Sequence, residues 1–190
     1  MKENIRIDTI NSLLPDRDIR GDSSNWANWE SVLTLTTCKE CADNHGKIVD
    51  IYVLGNGDVV NAHPRCRCIY VPMRTKAVGT ATDMGVNGAD EYVFRSNKLP
   101  SYYVNKKQAV RAGWKEWKGK LNEILPGMMI GGDVFRNNEG KLPYNDGRIW
   151  YEADINYENG YRNGQRLLYS SDGLIFATYD HYHTFYEITK

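Results

Sequence analysis

Five short segments in the C-terminal half, residues 128–135, 148–157, 166–170, 174–178 and 184–188, most narrowly limit what this chain can fold into. Each is rich in aromatic and β-branched residues, and Gly, Asn and Asp turns separate them, which is the pattern of consecutive strands. Ser171-Asp172-Gly173 joins the third and fourth as a tight hairpin. Helix signals come just before. Ala89, Tyr92 and Val93 recur at helical spacing until Leu99-Pro100, and Asn105 followed by Gln108 reads as a capping box with Gly113 placed to stop the helix. A third short helix fits residues 120–125, ahead of Pro126-Gly127. Helices followed by hairpin-linked strands predict an α+β fold, with short N-terminal helices packed on an antiparallel β-sheet.

Before residue 88 the chemistry is different. All four cysteines lie between positions 38 and 68, whereas most of the tyrosines lie from Tyr102 onward. Small and polar residues dominate 81–88, and Gly79, Gly85 and Gly88 loosen the backbone there. The expected organisation is an N-terminal arm (1–28), a Cys/His-rich module (29–72), a linker (73–87) and a C-terminal domain (88–190). In the arm, Ile5, Ile7, Ile10, Leu13 and Leu14 could form one or two amphipathic turns, to which no function attaches.

A hydrophobic content of 41% suffices for a packed core and argues against a disordered or fibrous chain. With 24 basic against 24 acidic residues there is no global field to attract a polyanion, so any affinity for nucleic acid must come from a local cluster. Charge punctuates residues 1–10, so no signal peptide is expected, and no apolar run approaches the roughly 20 residues a membrane span needs. A soluble chain with no membrane partner is the expectation; its cellular location stays open.

One cluster fits that requirement. Side chains alternate along a strand, so Trp150, Glu152 and Asp154 project to one face, and Tyr151, Ala153 and Ile155, which look like core, to the other. Arg162, Arg166 and His181 follow. Cutting RNA without a metal needs a base for the ribose 2′-OH, an acid for the leaving 5′-oxygen and fixed cations for the phosphate. Glu152, His181 and the Arg162/Arg166 pair fit those three jobs. On spacing alone, a solvated charged sheet face and a packing histidine fit too.

A series of ordered words separates these readings: Lys98-Leu99-Pro100, Gly113-Trp114, Lys118-Gly119, Pro126-Gly127, Ile130-Gly131-Gly132-Asp133, Glu139-Gly140-Lys141-Leu142-Pro143, Glu152-Ala153-Asp154-Ile155-Asn156-Tyr157, Tyr169-Ser170-Ser171-Asp172 and Asp180-His181-Tyr182. From about residue 88 to 188 the chain resembles the barnase family of guanyl-preferring bacterial ribonucleases. The resemblance implies Glu152 as general base and His181 as general acid, working through a 2′,3′-cyclic phosphate that is then hydrolysed with the roles exchanged. It implies that Lys106, Arg162 and Arg166 hold the phosphate, that Asp154 orients the arginines, and that catalysis needs no cofactor. Guanine would be read by the turn at 135–140, which contains Asn137, Asn138 and Glu139, with Tyr182 as the aromatic on which the base packs. That turn is also an ordinary hairpin turn. Two positions depart from the family. Asn138 stands where an arginine is usual and Gly173 replaces a tryptophan, and the first change removes a cation from the mouth of the site. The expected partners are RNA and a barstar-like inhibitor whose acidic surface covers Arg162, Arg166 and His181.

In the N-terminal module Cys38-Lys39-Glu40-Cys41 is a good metal knuckle, while Cys66-Arg67-Cys68 is tighter than the usual second half. His45 and His63 lie close in sequence, so Cys₄ and mixed Cys/His sites both remain open, as do disulfides or free thiols. A structural zinc is the expectation. Cys38, Cys41, His45-Gly46-Lys47, His63-Pro64-Arg65-Cys66-Arg67-Cys68 and the apolar stretch from Trp29 to Leu33 resemble the cysteine module of Mu-type phage head morphogenesis proteins, over residues 29–70. This resemblance implies a phage head or delivery partner. The leading functional expectation is an endoribonuclease toxin; the alternative is a phage minor head protein with a degenerate RNA-binding domain.

Overall fold

The computed structural model describes residues 26–50, 63, 64 and 66–190. The apolar positions 5–14 of the arm lie outside the described residues. The first unit contains β1 (Trp26–Glu30), α1 (Lys39–Asn44), β2 (Ile48–Asp50) and β3 (Ile69–Pro72). Its strands form an antiparallel sheet in the order β2-β1-β3.

The second unit begins with β4 (Arg74–Ala77), α2 (Ala89–Ser96), β5 (Tyr103–Val104), α3 (Lys106–Arg111) and α4 (Leu121–Ile124). It continues with β6 (Met129–Phe135), β7 (Trp150–Asp154), β8 (Arg166–Ser170), β9 (Ile175–Thr178) and β10 (Tyr186–Thr189). The seven strands run in the order β4-β10-β9-β8-β7-β6-β5. This is the expected α+β architecture, with one correction. The sheet is mixed, because β4 pairs parallel with β10 and β5 parallel with β6. Both parallel partners are short edge strands that arrive through longer connections, whereas the interior strands are joined as antiparallel neighbours.

Local chemistry explains the helices. Asn105 Oδ1 accepts the Gln108 N–H (2.8 Å) and Gln108 Oε1 accepts the Asn105 N–H (2.9 Å), a reciprocal box that opens α3. Helix α2 closes on Asn97, whose left-handed φ of 53° lets its N–H reach the Val93 carbonyl. Its Ala89 and Val93 pack on Ala153, Ile155, Leu167, Ile175 and Ala177, covering one face of the sheet. The other face is covered as well, since Trp150, Leu168, Phe176 and Phe185 pack with Leu142, Met73 and Ile48. Strands β8 and β9 are accordingly buried at every position.

The segment read from the sequence as a linker, 73–87, carries β4 and the 3₁₀ turn Gly85–Asn87. Strand β4 lies on the open edge of β10, where unpaired backbone groups offer a template. The Asp90 carboxylate then accepts the Gly79 and Ala81 N–H groups, at 2.7 and 3.0 Å, fastening the segment to the first turn of α2.

A bulge between Gly131 and Asp133 interrupts β6 where it meets β7, with Gly132 at φ 87°. At Gly131 a Cβ would lie 2.6 Å from the Tyr103 ring and 2.8 Å from Ala153 Cβ, so only glycine permits this approach of β5 and β7. Beyond the bulge, Asp133 Oδ2 accepts the Lys106 N–H (2.8 Å), which ties the start of α3 to the sheet. No helix among the described residues is long and apolar enough to cross a membrane.

Candidate active site

Glu152 and Asp154 stand two residues apart on β7, on one face, as strand alternation requires. The Glu152 carboxylate accepts the Tyr182 hydroxyl (2.7 Å) and pairs with Lys106 Nζ (3.3 Å). Burial alone would raise its pKa. The Tyr182 hydrogen bond, the Lys106 ammonium and the Arg162 guanidinium outweigh burial and hold the carboxyl below its ordinary range. Glu152 is therefore an ionised acceptor at neutral pH.

Asp154 is almost fully buried, and its carboxylate pins both arginines. It accepts from Arg162 Nε (2.7 Å) and Nη2 (2.6 Å), and Arg166 Nε lies 3.0 Å from Oδ1. Two guanidiniums thus share one carboxylate in a site of restricted water access. Burial would lower the Arg162 pKa, but its bonds to Asp154 raise it instead, so it stays protonated. Glu116, outside the sequence-derived set, takes the remaining arm, with Arg162 Nη1 3.1 Å from its Oε1. Arg166 also donates to the Asn163 and Gln165 carbonyls, both at 2.7 Å, which fixes the loop between the arginines.

His181 is exposed on the turn after β9. It and Tyr182 both have left-handed backbones, at φ 58° and 68°, a strained pair for residues other than glycine. Asp180 holds that strain in place. Its carboxylate accepts the His183 and Thr184 N–H groups (3.1 and 2.9 Å) and the Thr178 hydroxyl (3.0 Å). The His181 N–H donates to the Gly164 carbonyl (3.1 Å), joining this turn to the arginine loop. The His181 ring lies 5.1 Å from that of Tyr182, whose hydroxyl is on Glu152. Burial and the Glu152 bond raise the Tyr182 pKa, so the phenol keeps its proton and remains a donor.

The turn at 137–142 follows β6. Asn137 is committed inside it: its amide bonds both the carbonyl (2.8 Å) and the N–H (3.0 Å) of Leu142, and its backbone is left-handed at φ 47°. Asn138 and Glu139 are exposed, and Glu139 pairs with Lys141 (2.8 Å), which keeps its carboxyl below the usual range. Tyr182 stacks on Phe135 with ring centroids 5.3 Å apart, a contact the sequence alone does not reveal.

Lys106 and Glu152 thus form one pair and Asp154, Arg162 and Arg166 a second group, linked by the charge interaction of Arg162 with Glu152, and His181 is tied to them through Gly164 and Tyr182. The sequence assigns no role to Glu116, nor to Asp133 and Asp180, which stand in two of the words that carry the resemblance. For Glu116 the one signal is a carboxylate three residues from Gly113 and from Gly119.

In the first unit, Cys38 caps α1 and its Sγ receives the Cys41 N–H (3.4 Å). His63 Nε2 lies 3.0 Å from Cys38 Sγ and 3.1 Å from Cys41 Sγ, and Cys41 Sγ is 3.8 Å from Cys66 Sγ. All four cysteines are free thiols. Cys38, Cys41 and His63 form one group that could hold a metal ion, and Cys41, Cys66 and Cys68 form a second that shares Cys41. His45 lies outside both, because its Nδ1 accepts the Ser31 N–H (3.1 Å) and faces Glu30. Between the two candidate histidines, the geometry selects His63.

A family model described as ribonuclease matches residues 87–189. The ribonuclease of Heyndrickxia coagulans is 54% identical over 102 residues, which cover 54% of this chain and 94% of that relative. Ribonucleases of Bacillus intermedius and Bacillus pumilus are each 54% identical over 102 residues, covering 63% of their lengths. These matches leave the cysteine unit outside, and nothing in them links it to phage heads. With the carboxylates, arginines and histidine of β7, the loop that follows it, the start of β8 and the 180–184 turn gathered in the matched segment, the chain belongs to the ribonuclease family, endoribonucleases with RNA as their substrate.

Proposed function

We propose that residues 88–190 cleave single-stranded RNA on the 3′ side of guanine by acid–base catalysis that uses no metal. Glu152 takes the 2′-OH proton, the oxygen attacks phosphorus, and His181 protonates the departing 5′-oxygen, leaving a 2′,3′-cyclic phosphate. In the second step His181 removes a proton from water and Glu152 returns one to the 2′-oxygen as the ring opens. Lys106, Arg162 and Arg166 stabilise the charge that builds on phosphate in the transition state. The observation that carries this reading is the Glu152 carboxylate, kept ionised between Lys106 and Tyr182 on the strand whose Asp154 pins both arginines. A GpN dinucleotide, assayed in EDTA with the wild type, Glu152→Ala and His181→Ala, tests it.

The base preference rests on the exposed Asn138–Glu139 tip of the 137–142 turn. Glu139 and the turn amides would read the Watson–Crick edge, and the Phe135–Tyr182 stack would serve as an aromatic platform for the base. An unguarded ribonuclease harms the cell that makes it, so a toxin role with an acidic inhibitor over Arg162, Arg166 and His181 is the biological counterpart of this reading. Barnase and barstar are a standard example of such charge-steered association.

Four of the five donors Cys38, Cys41, His63, Cys66 and Cys68 would complete one tetrahedral zinc site, since zinc favours thiolate and imidazole donors in closed structural sites. The zinc would hold α1 to the 63–68 segment, a role separate from RNA cleavage. Metal analysis of the purified protein should find about one zinc per chain, reduced by Cys38→Ser; a metal-free, disulfide-linked protein contradicts it.

A further inference from the structure

The cysteine unit reaches the candidate base-reading turn directly. Strand β2 lies at the edge of its three-stranded sheet, and the N–H of Ile48 on that outer edge donates to the Lys141 carbonyl at 2.8 Å. The Ile48 side chain is only 4% exposed and is buried in the ribonuclease core with Leu142, Trp150, Phe176 and Phe185. Its neighbour Lys47 lies against Gly140: a Cβ on Gly140 would sit 3.6 Å from Lys47 Cε. Lys47 is itself held by Asn44, whose Oδ1 accepts from its Nζ at 2.9 Å. On the catalytic side, Lys141 Nζ donates to the Tyr182 carbonyl (3.1 Å) and pairs with Glu139.

The turn is therefore held from two sides. Lys141 ties it to the 180–184 segment, and Lys47–Ile48 tie its back to a different unit of the chain. We propose that Ile48, with Lys47, is a positioning element for base specificity, bracing the 137–142 turn so that Glu139 and the turn amides meet the base in one geometry. This rests on the reading of that turn as the base-recognition site. Displacing a recognition group by about 1 Å can cost on the order of a hundredfold, so a brace of this kind acts strongly on discrimination. The acid–base pair has holds of its own outside the turn, Lys106 on Glu152 and the Gly164 carbonyl on the His181 N–H.

The test compares kcat/KM for GpN and ApN in the full chain and in Ile48→Ala, with near-UV circular dichroism to verify folding. The wild type should prefer GpN, and Ile48→Ala should lower the GpN:ApN ratio about tenfold while ApN cleavage stays within about twofold. Should the alanine variant not fold, Ile48→Val keeps the strand and should shift the ratio in the same direction by less. An unchanged ratio in a folded variant whose wild type prefers guanine overturns the brace alone, as does an equal fall on both substrates. A wild type that cuts GpN and ApN alike overturns the base-reading turn and, with it, the brace.

Discussion

The two ends of the catalytic face are supported in different ways. At the phosphate end, Asp154, Arg162 and Arg166 lie within thirteen residues of sequence, Asp154 and Arg166 are buried and Arg162 is half-buried, and they bond chiefly to one another and to the backbone beside them. At the base end, Asn138 and Glu139 are exposed on a turn whose order comes from Asn137 within it, Lys141 across it and Ile48 from a separate unit. Charge stabilisation requires a dry, fixed site, and a strand in the sheet centre provides one locally. Recognition of a base needs an accessible loop, and an accessible loop must borrow its rigidity.

The sharpest way to break this contrast is to remove the pin at the phosphate end. Asp154→Ala leaves the buried Arg166 and the half-buried Arg162 without their shared counter-charge, and should destabilise the protein by about 3–5 kcal/mol in denaturant unfolding. A loss below about 1 kcal/mol would mean that the arginines find water or other partners, and that this end is not self-contained.

A smaller effect separates the two ends by pH. The Tyr182 hydroxyl stabilises the ionised form of Glu152, so removing it lets the carboxyl pKa rise from its depressed value. A general base fails as it becomes protonated. The acid limb of kcat/KM should therefore lie below the ordinary carboxylate range in the wild type and move to higher pH in Tyr182→Phe. An acid limb that stays in place would show that Lys106 and Arg162 alone set the Glu152 charge.

Sequence and structure agree most closely where the signal is local. The Asn105/Gln108 box, the Ser171–Gly173 hairpin and the alternation along β7 depend on residues a few positions apart, and each is realised. The strand expected over 148–157 is shorter in the structure, Trp150–Asp154, and just past its end Asn156 takes a left-handed backbone, φ 54°. Strand β4 is not legible in the sequence because Arg74–Ala77 is mostly exposed and carries no apolar alternation; the edge of β10 makes it a strand. The Lys106–Glu152 pair spans 46 residues and Tyr182–Glu152 spans 30, so composition and spacing offer no hint of either. Family resemblance supplied Lys106; nothing in the sequence suggested that the Tyr182 hydroxyl would hold the base. The choice of His63 over His45 likewise depends on a fold that turns His45 toward Ser31 and Glu30.

The most direct measurement is the product time course of GpN cleavage in EDTA. The wild type should form guanosine 2′,3′-cyclic phosphate first and open it to the 3′-phosphate later, and Glu152→Ala and His181→Ala should each lower kcat/KM by about 10²–10⁴. Cleavage that stops in EDTA, that bypasses the cyclic phosphate, or that survives both substitutions would contradict the assignment of Glu152 and His181 as the catalytic pair.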